Sequence, residues 1–96
     1  MTMKEFLATL EDSAPPAAAS DLIKALWYDA NGLWDKAHDL VQDLTSLEAS
    51  WIHAYLHRKE GDHSNASYWY HRANKDVPMP STTLEEEWER IVFEIL

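Results

Sequence analysis

The sequence lacks cysteine altogether, and it has only two glycines and eight basic residues against 17 acidic ones. Without cysteine, disulfides, thiolate metal sites and thiol nucleophiles are excluded. The scarcity of glycine argues against a turn-rich β fold and favours helices joined by short loops. No apolar run approaches the ~20 residues that a membrane-spanning helix needs, so no membrane partner is expected. The N-terminus has no secretory apolar core, which makes the cytoplasm the expected location.

The net charge of −9 also limits the choice of partners. Nucleic acids are bound mainly through Lys and Arg contacts to phosphate, and this chain has no cluster of such residues, so no nucleic acid is expected. Anionic membrane surfaces are disfavoured on the same grounds. Any electrostatic attraction would be toward cationic partners.

What the chain does contain is hydrophobic residues at helical spacing, in segments separated by turn residues. At 96 residues it predicts a single all-α domain of about six helices over 1–96. Its parts are an N-terminal capping helix over 3–11, one hairpin over 17–44, a second over 46–74 and a C-terminal capping helix over 83–96.

Several residues are predicted to begin these helices. Ser13 is the expected N-cap of the second helix if Pro15 and Pro16 lie in its first turn, although the prolines could equally form a linker. Asp62 is expected to cap the fifth helix. Two capping boxes are further predicted, Thr45 with Glu48 before the fourth helix, and Thr82 with Glu85 or Thr83 with Glu86 before the sixth.

The two hairpins look like copies of one unit at an offset of 29 residues, which aligns Gly32 with Gly61. In the second unit the Gly61-Asp62 turn is followed by small, aromatic and proline residues at regular spacing, namely Ala66, Tyr70, Ala73 and Pro78. This pattern, over roughly 18–78, resembles the tetratricopeptide and Sel1-like class of helix-hairpin repeats. The unit departs from the family at its first helix, where Ser50, His53 and His57 stand at the Trp, Leu and Tyr positions.

The resemblance implies two antiparallel hairpins stacked as a short α-α superhelix with a concave, peptide-binding face. A narrower likeness is carried by WIHAYLHRKEGD and NASYWYHRA, which are similar to a segment of small microbial proteins. That second likeness implies no activity.

On the concave face, Trp51, Tyr55 and Arg58 are the candidate floor of a partner-binding groove, with Arg58 steering a carboxylate. The alternative is that Trp51 and Tyr55 belong to the core and are covered by a terminal helix. Tyr68 and His71 share the opposite side of the fifth helix, where we expect a contact surface or plain solvent exposure.

A second candidate site rests on His53 and His57, one helical turn apart, which is the spacing that presents two imidazoles to one metal ion. Glu60 follows on the same side, and His38, His63 or His71 are candidates for a further ligand. The alternative is that these histidines pack at the hairpin seam without metal.

No phosphate-binding loop, nucleotide motif or catalytic triad is recognisable, so no catalytic residue and no cofactor are predicted. The chain is interpreted as a non-enzymatic module that binds a protein partner or its own copy. The alternative is a helical protein that binds a metal or small molecule through His53 and His57.

Overall fold

The computed structural model describes residues 1–96 as six helices without any strand. They are α1 (Met3–Thr9), α2 (Asp21–Ala30), α3 (Trp34–Val41), α4 (Leu47–Glu60), α5 (His63–Arg72) and α6 (Leu84–Ile95). The prediction of an all-α fold with about six helices is confirmed. None of these helices is long and apolar enough to cross a lipid bilayer.

Helix starts follow local capping chemistry, though not always at the expected residue. Asp62 caps α5 and Thr83 forms a capping box with Glu86 on α6, as predicted. Helix α2 begins after Ser20, whose hydroxyl accepts from the Ile23 backbone N–H, so Ser13 is not its cap.

The start of α4 also differs, because Ser46 rather than Thr45 caps it and no capping box forms there. A capping box that sequence reading overlooked joins Thr2 and Glu5 at α1. The cap of α2 lies seven residues after Ser13 and that of α4 one residue after Thr45, and the number and order of the helices are unchanged.

The helices pack as hairpins, α2 against α3 and α4 against α5, with α3 also in contact with α4. Gly32 and Gly61 follow α2 and α4 with φ of 76° and 88°, a left-handed conformation that glycine adopts without strain. The small residues aligned between the two units are all buried, which lets the backbones approach closely: Ala25, Ala37, Ala54 and Ala66.

Helix α6 lies across α2 and α4, the first helix of each hairpin. Its Trp88 donates Nε1–H to the Leu26 carbonyl at 3.1 Å and stacks on Phe6 with ring centroids 5.9 Å apart. Trp27 of α2 donates to the Thr9 carbonyl at the end of α1. The terminal helices α1 and α6 therefore contact each other, and both pack against the hairpins.

Candidate functional site

Trp51 and Tyr55 are core residues, exposing 7% and 2% of their surface, so they do not form the floor of an open groove. The Tyr55 hydroxyl donates to Asp29 Oδ2 at 2.9 Å, and Trp51 Nε1–H donates to Glu87 Oε2 at 3.1 Å. The expectation of an aromatic groove at these residues is corrected: α6, which carries Glu87, occupies that face. The alternative interpretation, that a terminal helix covers them, agrees with this arrangement.

Arg58 is turned inward rather than toward a ligand. Its Nη1 lies 2.9 Å from Oε1 of the buried Glu87, and its Nη2 donates to the Thr82 carbonyl. Tyr70 also donates to Glu87, 2.6 Å from Oε2. Burial of the hydroxyl raises the pKa of Tyr70, and the hydrogen bond to Glu87 raises it further. Glu87 thus joins α4, α5 and α6 through one buried carboxylate.

A second buried carboxylate, Asp29 of α2, accepts from Tyr55 and forms an ion pair with Lys59 Nζ at 3.0 Å. Burial and the adjacent Asp29 charge raise the pKa of Tyr55. Sequence reading missed both carboxylates. Glu87 lies three residues after Leu84 and four before Ile91, on the apolar stripe of α6, and this spacing is the signal in the sequence for its burial.

The remaining candidates on α5, Tyr68 and His71, are exposed, and Tyr68 OH accepts from Arg72 at 3.1 Å. Neither residue lines the cleft between α6 and the segment 75–82. The five residues proposed as one binding surface are therefore divided between the core and the outer side of α5.

A cleft of about 990 Å³ lies between α6 and the segment 75–82. We call it the acidic cleft, because its lining holds more carboxylates than bases: Asp76, Glu86, Glu87, Glu89 and Glu94 against Lys75 and Arg90. Three apolar side chains that line it are open to solvent, Phe93 at 74%, Met79 at 70% and Val77 at 55%. Trp51 lines it with the small part of its ring left exposed, beneath Lys75 Nζ at 4.2 Å from the centroid.

A cluster of three imidazoles lies between α3 and α4. His38 Nε2 is 3.0 Å from His53 Nε2, and one ring nitrogen each of His38, His53 and His57 lie within 4.8 Å of one another. We call this set the histidine cluster. His63 and His71 are exposed and lie outside it. Glu60, predicted to act with His53, instead contacts only His57 of the cluster.

Aromatic rings and a carboxylate hold the cluster in place. His53 stacks on Trp69 with centroids 3.9 Å apart, and His38 stacks on Trp34 at 4.9 Å. His57 Nδ1 lies 2.9 Å from Glu60 Oε1. His53 Nδ1 has no hydrogen-bond partner although it is buried.

The environment of His38 and His53 favours neutral imidazoles. Burial, together with repulsion from the His38 and His57 charges, lowers the pKa of His53 to about 4. The pKa of His38 is also lowered, mainly by burial and further by His57. Around neutral pH the ring nitrogens of these two residues therefore retain a lone pair that can accept a hydrogen bond or bind a metal ion.

We expect the protein to lose stability as pH falls from about 6.5 toward about 4 in metal-free buffer. Between these two pH values His53 binds a proton in the unfolded chain but not in the folded chain, so lowering the pH favours unfolding. Above about pH 6.5 His53 is neutral in both states, and its contribution to the free energy of unfolding is fully present. Urea midpoints measured at pH 7 and pH 5 check this. His53→Gln should lose less stability between the two pH values than the natural sequence, whereas His63→Gln, at an exposed histidine, should match it. Equal pH dependence for all three would contradict the assignment.

Comparison with known proteins adds no relative: no family model, no curated protein and no solved structure matches this chain. The resemblance to tetratricopeptide-like repeats stays a prediction that rests on residue spacing.

Proposed function

We propose that this protein is a small, non-enzymatic interaction module of the cytoplasm, which holds a basic, amphipathic segment of a protein partner in the acidic cleft. The observation that carries the proposal is the exposure of Phe93 and Met79 on the cleft rim, at 74% and 70%. The hydrophobic core is complete without these side chains. Large apolar groups gathered at a concave surface, beyond what folding uses, are typical of a contact site.

Charge favours a basic occupant. Asp76 and Glu89 are exposed at the cleft, and Lys75 is already drawn to Glu94 and to the Trp51 ring. The field at the cleft is thus dominated by carboxylates on a chain of net charge −9. A partner segment with Lys or Arg beside apolar residues would meet both the acidic rim and the exposed side chains of Phe93 and Met79.

The same charges argue against the two other occupants considered. A second copy placed face to face would bring identical acidic rims together, which costs free energy. Nucleic acid would meet carboxylates in place of the cations that its phosphates require. We therefore propose a protein partner and no nucleic acid.

The proposal predicts that the full-length protein binds basic amphipathic peptides more tightly than acidic or scrambled peptides of the same length. Fluorescence anisotropy with labelled peptides selected from a display library measures this difference. Phe93→Asp should weaken binding about 30-fold, as loss of a central apolar contact does. Met79→Asp should act in the same direction, and added salt should weaken binding further.

Tyr68→Asp is the matched control, because Tyr68 is also an exposed aromatic residue but lies on α5, outside the cleft. Unchanged affinity in this variant supports the cleft. If Tyr68→Asp abolishes binding and Phe93→Asp does not, the contact surface lies on α5 and the cleft proposal fails. Sedimentation showing a dimer that Phe93→Asp dissociates would identify self-association instead.

A further inference from the structure

We propose that His38, His53 and His57 form a binding site for one divalent transition-metal ion of the zinc class. The inference is independent of the acidic cleft, which shares no residue with the histidine cluster. It rests on the convergence of three imidazoles, on the short contact between two of their Nε2 atoms and on a carboxylate that orients one of the rings.

The distances suit a common metal ion. Two nitrogens bound to one tetrahedral Zn²⁺ lie about 3.3 Å apart, since each Zn–N bond is about 2.0–2.1 Å. His38 Nε2 and His53 Nε2 are 3.0 Å apart, so a shift of a few tenths of an ångström admits the ion. His57, one turn after His53 on α4, supplies the third nitrogen within 4.8 Å.

Hydrogen bonds within the chain do not satisfy every ring nitrogen of the histidine cluster. His53 Nδ1 is the one buried side-chain nitrogen or oxygen without a partner, in a residue only 4% exposed. His38 and His53 can share a single proton between their Nε2 atoms, because one ring must donate and the other accept. An ion bound between the two Nε2 atoms would replace that shared proton, and Nδ1 would then be the protonated nitrogen of both rings. The unpartnered Nδ1 of His53 is therefore not a ligand of this site.

Glu60 acts as a positioning residue for His57. A carboxylate only accepts, so His57 Nδ1–H donates to Glu60 Oε1 at 2.9 Å and the lone pair is left on Nε2. Asn65 Nδ2 approaches that Nε2 only at a weak 3.4 Å. A carboxylate behind a histidine is the arrangement that fixes ring orientation and raises basicity at metal sites.

The ligand set defines the class of metal. Imidazole nitrogens suit Zn²⁺, Cu²⁺ and Ni²⁺, whereas Mg²⁺ and Ca²⁺ prefer oxygen ligands. The three rings would supply three ligands and leave a further position for water or an added donor. The stacking of His53 on Trp69 and of His38 on Trp34 holds two rings near this geometry before any ion binds.

Titration of the EDTA-stripped full-length protein with ZnCl₂ tests the site. We expect saturation at one equivalent, a rise in melting temperature, and shifts of the ring ¹⁵N resonances of His38, His53 and His57 alone. Glu60→Gln should bind about 10-fold more weakly, as loss of such a supporting hydrogen bond does. His53→Gln should remove Zn²⁺ binding. His38 is only half-buried, so His38→Gln is the second test if His53→Gln does not fold. It should weaken Zn²⁺ binding more than Glu60→Gln does.

The control is the double variant His63→Gln, His71→Gln, which removes only exposed histidines. It should bind Zn²⁺ as the natural sequence does. The proposal is overturned if this variant loses binding, if the ring resonances of the cluster do not move, or if no saturable binding occurs up to about 1 mM Zn²⁺.

Discussion

Glu87→Ala should destabilise the protein by about 3–5 kcal/mol, because it leaves the Arg58 charge without its buried partner. The same change removes the acceptor of Tyr70 OH and of Trp51 Nε1–H. Natural domains have only about 5–15 kcal/mol in total, so a large share of the stability is at stake. For a chain of this size the melting temperature should fall by at least about 12 °C. Thermal unfolding followed by far-ultraviolet circular dichroism measures the change.

Glu89→Ala is the control for this experiment, since Glu89 lies on the same helix but is exposed. It should change stability by less than about 0.5 kcal/mol. A double variant of Arg58 and Glu87 isolates the coupling free energy between the two residues. Its loss of stability should be clearly smaller than the sum of the losses in the two single variants. Additive losses would show that the ion pair does not contribute, contrary to the arrangement described.

Phe6→Ala is the second substitution with a large expected effect, about 3–5 kcal/mol. Phe6 is fully buried and stacked on Trp88, so truncation leaves a cavity between α1 and α6 and removes an aromatic contact. Urea unfolding should show a lower midpoint with an unchanged slope, since the native surface stays the same.

Leu7→Ala provides the comparison within the same helix, because Leu7 is adjacent to Phe6 yet exposed. A loss below about 0.5 kcal/mol is expected there. If Phe6→Ala is equally mild, α1 does not contribute to the folded domain, and the contact between the terminal helices has no part in its stability.

Much of the fold followed from local signals in the sequence. The 3.6-residue period of apolar side chains, the glycines after α2 and α4, and the caps at Asp62 and Thr83 led to six helices in the observed order. These signals act between residues a few positions apart, so they can be read without tertiary structure. Pro15 and Pro16 precede α2, in agreement with the alternative that they form a linker, so Ser20 and not Ser13 caps that helix. The expected cap at Thr45 was wrong because the adjacent hydroxyl of Ser46 offered an equivalent cap.

The candidate sites depended on contacts that no local pattern encodes. The apolar stripe of α6 predicts that one face of this helix is buried, but it does not predict that the face packs against α2 and α4. Because α6 packs there, Trp51 and Tyr55 are core residues, and Arg58 pairs with Glu87, 29 residues away. The preference of a buried charge for a partner is general, while the identity of the partner depends on tertiary proximity.

The sequence by itself determined an acidic, cysteine-free, all-helical domain and placed His53 and His57 one turn apart, because composition and helical period are local properties. Only the tertiary structure brought His38 to within 3.0 Å of His53, by packing α3 against α4. It likewise left Phe93 uncovered at the acidic cleft, because α6 can turn only part of its circumference toward the core.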